Sequence, residues 1–200
     1  MLRNILKSLI AAWILAILSV PWITWAQGLT EAQYQALHDD ILITHQAEFA
    51  ADVAAAHYAA IQDAYNALAA PVFWVWRVQL AEKEIYEATS PDGTTWSWST
   101  YKSQTVQDRD SWARMMTPGV VNPSLKNTRD GWQSIFGGQG ASQAQVNFLL
   151  SLGRRQALRN EALFANTSGG NGQAATPATL TYVGSLTYND VYFALTGVRP

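Results

Sequence analysis

The chain has 200 residues, a length suited to one domain, and 48% of them are apolar, enough for a substantial core. Only 14% are charged, the formal net charge is -2 and nine residues are tryptophan, so no general affinity for nucleic acid or a membrane surface is predicted. The absence of cysteine excludes disulfide staples, thiolate nucleophiles and cysteine-ligated metal sites.

The first 26 residues differ from the rest. Arg3 and Lys7 precede an apolar run from Leu9 to Trp25, and no acidic residue occurs before Glu31. Three readings stand side by side. One is a secretory signal peptide with its cleavage point near Thr24-Trp25-Ala26, and one is a membrane anchor interrupted by Pro21. The third is a start placed upstream of a protein that begins near Gly28. In each the leader is detachable from the fold.

Thr30 is a helix start. It can cap, Gln33 completes a capping box, and Leu29 can staple onto Tyr34. Tyr34, Leu37, Ile41 and His45 then share a face. The alanine-rich stretch over 50–70 predicts a further helix, ended by Pro71. Val72-Phe73-Trp74-Val75-Trp76-Arg77 is too short to span a membrane. It reads as a buried extended segment or as the start of a helix through Glu84 and Tyr86. Ser90-Pro91-Asp92-Gly93 is a turn.

A helix is predicted over 98–116, stopped by Pro118-Gly119. Another starts with Asn122-Pro123 as cap and first-turn proline, with Trp132, Ile135 and Phe136 inside, and closes at Gly137-Gly138. A long helix over 142–164 follows, then a glycine-rich loop near 166–175 and a short strand over 179–183. Thr187 and Asp190 cap a last helix carrying Val191, Ala194 and Leu195. The expectation is a mainly α fold: one helical bundle over 27–200 with a short C-terminal β segment.

The chemistry-bearing residues form no catalytic constellation. His38 and His45 are seven apart, whereas metal-binding pairs on helices sit three or four apart, so they and His57 read as surface or core-edge histidines. Asp39-Asp40 and the carboxylates of Glu82, Glu84 and Glu87 read as solvated faces; a hydrolase using Glu84 and Glu87 is the minor alternative. Gly137-Gly138-Gln139-Gly140 lacks the lysine of a phosphate loop, and the serines lack a nucleophile elbow. Arg154, Arg155 and Arg159 form the one basic cluster. Its readings are neutralisation by Glu161 and solvent, an acidic partner subunit, or DNA. The tryptophans read as core or subunit interface ahead of sugar or base stacking. The chain therefore reads as a non-enzyme with no cofactor and no metal.

Several stretches in order resemble a family of small proteins encoded among the virion genes of tailed bacteriophages and prophages. Ala70-Pro71-Val72-Phe73-Trp74-Val75-Trp76-Arg77 is similar to its "A-x-P-x-F-x-V-W-R" segment, and Thr95-Trp96-Ser97-Trp98 to a tryptophan-bearing segment after the turn. Asn122-Pro123-Ser124-Leu125-Lys126-Asn127-Thr128-Arg129-Asp130-Gly131 resembles its "N-P-S-K-x-N-x-R-x-G" stretch, with Leu125 inserted. The stretch from Arg154 to Ala165 resembles its "R-x-A-T-R-A-E-K-L-F-A" helix, with Ala162 where the family carries lysine. Thr176-Pro177-Ala178-Thr179-Leu180, Gly184-Ser185-Leu186-Thr187 and Asp190-Val191 match its tail. The resemblance covers residues 29–196, and the family usually lacks a leader.

The resemblance implies a virion structural protein, assembled in the host cytoplasm. By size and class, a head–tail adaptor or connector subunit forming a homo-oligomeric ring against portal or tail components is expected. Trp74, Trp76, Arg77, Trp96, Trp98, Arg154, Arg155 and Arg159 are the candidate partner-binding residues. The alternative expectation is an exported or membrane-anchored helical binding protein of the bacterial envelope, periplasmic or held through residues 1–26.

Overall fold

The computed structural model describes residues 28–166, 169–172 and 174–199. The expectations for residues 1–26 lie outside that range, as do Thr167, Ser168 and Gln173 of the glycine-rich loop. The fold is mainly α: ten α-helices and two two-stranded antiparallel sheets form among the described residues, and none of their helices is long and apolar enough to cross a membrane.

Helix α1 (Glu31–Asp39) starts at its capping box. Thr30 Oγ1 accepts from the Gln33 N–H at 3.3 Å, and Gln33 Oε1 accepts from the Thr30 N–H at 2.9 Å. It runs into a π-helical turn, Asp40–Thr44, closed by the His45 N–H on the Asp40 carbonyl at 2.8 Å. The wider turn keeps Leu37 and Ile41 fully buried but leaves His45 at the start of the next helix, α2 (Gln46–Ala54).

The helix expected over 50–70 is broken. The His57 N–H reaches the Asp52 carbonyl and the Ala56 N–H the Val53 carbonyl, a Schellman closure with Ala56 at φ +55°. An alanine occupies the left-handed position that glycine usually fills, so no sequence signal marked the stop. The chain resumes as α3 (Tyr58–Asn66) and turns extended well before Pro71, whose peptide bond with Ala70 is cis.

The tryptophan segment is extended. Strand β1 (Trp74–Trp76) buries Val75 completely and leaves both indoles half-buried. It pairs with β4 (Arg154–Gln156), Val75 opposite Arg155, and Val75 also bridges to Ala178 in parallel. That bridge is the β pairing of the C-terminal segment, and the stretch expected as strand over 179–183 is irregular. Strand β2 (Leu80–Ala81) pairs with β3 (Val120–Val121) and leads into α4 (Glu82–Glu87).

The helix expected over 98–116 is two helices, α5 (Trp98–Ser103) and α6 (Val106–Met116). Thr105 caps the second: its Oγ1 accepts from the Asp108 N–H at 3.1 Å and its hydroxyl donates to Asp108 at 2.6 Å. Helix α7 (Lys126–Phe136) starts later than expected, because Asn122 Oδ1 accepts from the Ser124 N–H and hydroxyl and forms a turn instead of a cap. The helix expected over 142–164 stops at Leu152. The intervening residues serve β4, so the remainder is α8 (Ala141–Leu152) and α9 (Arg159–Phe164). Thr187 and Asp190 do cap α10 (Tyr188–Thr196), which buries Val191 and Ala194.

Two apolar cores result. Trp96, Trp112, Trp132, Ile135, Phe136 and Leu149 centre one, built entirely from residues 80–152. Leu37, Ile41, Phe49, Ile61, Tyr65 and Val191 belong to the other, which joins the N-terminal helices to the C-terminal ones. The chain passes from the second lobe to the first through β1 and returns through β4, so this strand pair is the neck, with a small cluster of Val75, Ala157 and Ala178 beneath it.

Candidate functional site

The expected partner-binding residues fall in three places. In the lobe over 80–152, the turn 89–95 brings Trp96 and Trp98 back over α4. Ser97 fixes them: its N–H donates to the buried Gln145 at 2.9 Å, and its Oγ caps α5 by accepting from the Thr100 N–H at 3.2 Å. Trp96 points inward, is 7% exposed, and stacks on Trp112 with centroids 5.0 Å apart. It is core, which corrects its expectation as a partner contact. Trp98 points outward and is 50% exposed. It rests on Tyr86 at 4.9 Å, Trp96 at 5.7 Å and Tyr101 at 5.9 Å. Tyr86 is held in turn by donating to Glu82 at 2.6 Å; burial and that acceptor push its phenol up to about 12. The result is a half-exposed indole on a fixed aromatic shelf.

At the neck, Trp76 lies under the guanidinium of Arg129 at 4.4 Å, and Arg129 donates to the carbonyls of Pro123 and Ser124. Arg77 pairs with Glu84 at 2.7 Å. Glu84 also accepts from the Ala81 N–H, and these bonds hold its carboxyl below the usual range. Glu87 lies 3.9 Å from Lys83. Trp74 offers its N–H to the Gly170 carbonyl and accepts from the Ala178 N–H.

The three arginines do not share a helix face. Arg154 donates to the Ala174 carbonyl. Arg155, on β4, makes a bidentate pair with Glu161 at 2.7 and 2.6 Å. Glu161 is 1% exposed and also accepts from the N–H groups of Leu158 and Gly184. Arg159, on α9, makes a second bidentate pair with Glu48 at 2.5 and 2.9 Å and covers the rings of Tyr65 at 4.7 Å and Phe49 at 5.0 Å. Each partner stabilises the other's charge: Glu48 is lowered and Arg159 raised. The Glu161 half of this arrangement was legible in the sequence. The Glu48 half, 111 residues away, was not.

One cleft was missed from the sequence altogether. Asp40, His45, Pro71, Phe73, Arg159 and Ala162 are among the residues around a space of about 280 Å³ at the foot of the π-helical turn. Asp40 is 12% exposed and accepts from the Tyr65 hydroxyl at 2.5 Å, an acceptor that with burial pushes the Tyr65 phenol up. His45 Nδ1 lies 3.1 Å from Asp40 but off the line of a hydrogen bond, so this buried atom has no directed partner. His38 and His57 sit beside Asp39 and Asp52, and no three His, Asp or Glu side chains among the described residues come together as a metal requires. The extra residue of a π turn leaves no mark in sequence periodicity, so nothing announced the cleft. No family model, curated protein or solved structure matches the chain.

Proposed function

We propose that this protein is a structural subunit of a tailed-phage particle, a head–tail connector or adaptor part that assembles into a ring by protein–protein contact. The observation that carries the assembly reading is Trp98. A half-exposed indole already fixed on Tyr86, Trp96 and Tyr101 loses little rotamer freedom on docking and brings a large apolar area, the combination that makes interface hot spots. The ordered motifs from Ala70 to Val191 support the phage context. Among the expected contact residues, Trp96 is used in the core and Arg155 and Arg159 are paired within the chain, so the assembly surface centres on Trp98.

Sedimentation velocity over a concentration series of the protein and of Trp98→Ser tests the reading. The protein self-associates, alone or on portal rings. The variant, with an unchanged far-ultraviolet circular dichroism spectrum, needs roughly thirtyfold higher concentration, the equivalent of a hot-spot loss of about 2 kcal/mol. A protein that stays monomeric with and without portal, or a variant that assembles as well as the wild type, overturns it.

A further inference from the structure

An acidic partner is one of three sequence readings of the arginine cluster; the charge of the folded lobe points to a partner of the opposite sign. Segments 28–73 and 157–199, which build the lobe of α1 to α3, α9 and α10, contain eight carboxylates against Arg159 and Arg199. Arg155 reaches over from the neck to neutralise Glu161, which leaves a surplus of five negative charges. The segment 77–153 is balanced, with seven of each sign. The lobe therefore attracts basic surfaces, and the Asp40 cleft is one of the polar-lined spaces among its described residues.

Within that cleft the charges divide unevenly. The two good bonds of the Arg159 guanidinium go to Glu48, and the more distant Asp40 also acts on it, so two carboxylates face this one guanidinium. Among the described residues no Lys or Arg is bonded to Asp40: one oxygen takes the neutral Tyr65 hydroxyl, and the other faces the misaligned His45 Nδ1. The same space is also lined by the apolar side chains of Pro71, Phe73 and Ala162. A space of about 280 Å³ is below the range for nucleotide-sized ligands and suits one long side chain. A carboxylate and an aromatic ring lining one space can hold a cationic head and its alkyl stem.

We infer that the Asp40–Phe73 cleft is a docking pocket for a lysine or arginine side chain presented by a protein partner. The inference deepens the assembly reading and rests on it: Trp98 supplies the apolar contact of one lobe, and the cleft supplies the charged contact of the other.

The test is residue-resolved NMR of the full chain titrated with N-acetyl-arginine methylamide, and with the norleucine and glutamate analogues. The arginine probe gives saturable shifts at Asp40, His45 and Phe73 that weaken as salt rises through about 0.1 M, where the screening length falls to about 10 Å. The norleucine and glutamate probes do not. Ala162→Lys, which places an amine in the cleft, and Asp40→Asn, which keeps the shape without the charge, each weaken the arginine probe by about tenfold or more. Equal shifts from the glutamate or norleucine probe, no shifts at the cleft, or full binding by folded Ala162→Lys or Asp40→Asn protein overturns the inference. The titration is run on wild-type and on Trp98→Ser full-length protein below their assembly concentrations, so the readout does not depend on the assembled state. Loss of assembly in Trp98→Ser with an inert cleft therefore refutes the pocket alone, and an active cleft on a protein that never assembles refutes the assembly reading alone.

Discussion

Removing the Glu161 side chain tests whether the arginines are structural. In Glu161→Ala the Arg155 guanidinium loses both of its carboxylate bonds, and the N–H groups of Leu158 and Gly184 lose their acceptor. Breaking a buried pair from one side costs about 3–5 kcal/mol where the remaining charge is trapped. The Arg155 side chain is 34% exposed and can turn to water, so its share is the smaller one. The two stranded N–H groups add about 1–3 kcal/mol each if they stay buried. A loss of about 3–4 kcal/mol follows for Glu161→Ala. Arg155→Ala leaves the Glu161 carboxylate trapped with only the Leu158 and Gly184 N–H groups, so it costs at least as much, about 3–5 kcal/mol. Urea unfolding by circular dichroism measures both, with the slope checked so that midpoint shifts read as stability. A loss below about 1 kcal/mol in Glu161→Ala would refute the structural assignment and return Arg155 to the partner-binding residues.

Three further outcomes follow from single positions. Ala56→Gly relieves the left-handed alanine of the Schellman closure and raises stability by up to about 1 kcal/mol in the same unfolding assay; a loss would contradict the break between α2 and α3. Gly170→Ala places a Cβ 2.5 Å from the Phe73 ring and 2.9 Å from the Trp74 carbonyl at φ +93°, so it destabilises by about 2 kcal/mol or more, measured by thermal melting. The Glu48 carboxyl is held below its ordinary value by Arg159, so its contribution is present above the unfolded glutamate range near pH 4.5 and is lost as pH falls through the lower folded value. Glu48→Gln flattens that acid limb of the stability profile, and an unchanged limb counts against the pair.

What the sequence made legible was local. The capping pairs Thr30/Gln33 and Thr187/Asp190 name their own partners three residues on, and both form. Trp112, Trp132, Ile135 and Phe136 fall on inner faces as their spacing predicts. Thr105 and Asp108 carried the same kind of signal in the middle of an expected helix and were passed over because the apolar spacing ran on through them. The non-local features were hidden. Residues 154–156 have helical propensity and become a strand only because β1, some eighty positions earlier, needs a partner. The Arg159–Glu48 pair and the Tyr65–Asp40 bond likewise depend on helices meeting across the fold. Trp96 and Trp98 are two residues apart in one motif, yet one is core and the other surface, a division set by the bond between Ser97 and Gln145.

The most direct test of the virion reading is quantitative mass spectrometry of gradient-purified tailed particles from cells carrying this gene, with the portal protein as internal standard. A connector-ring subunit is present in every particle at a fixed small-integer ratio to portal, and particles assembled with Trp98→Ser lack it. Absence from particles whose portal and tail proteins are fully represented contradicts the account.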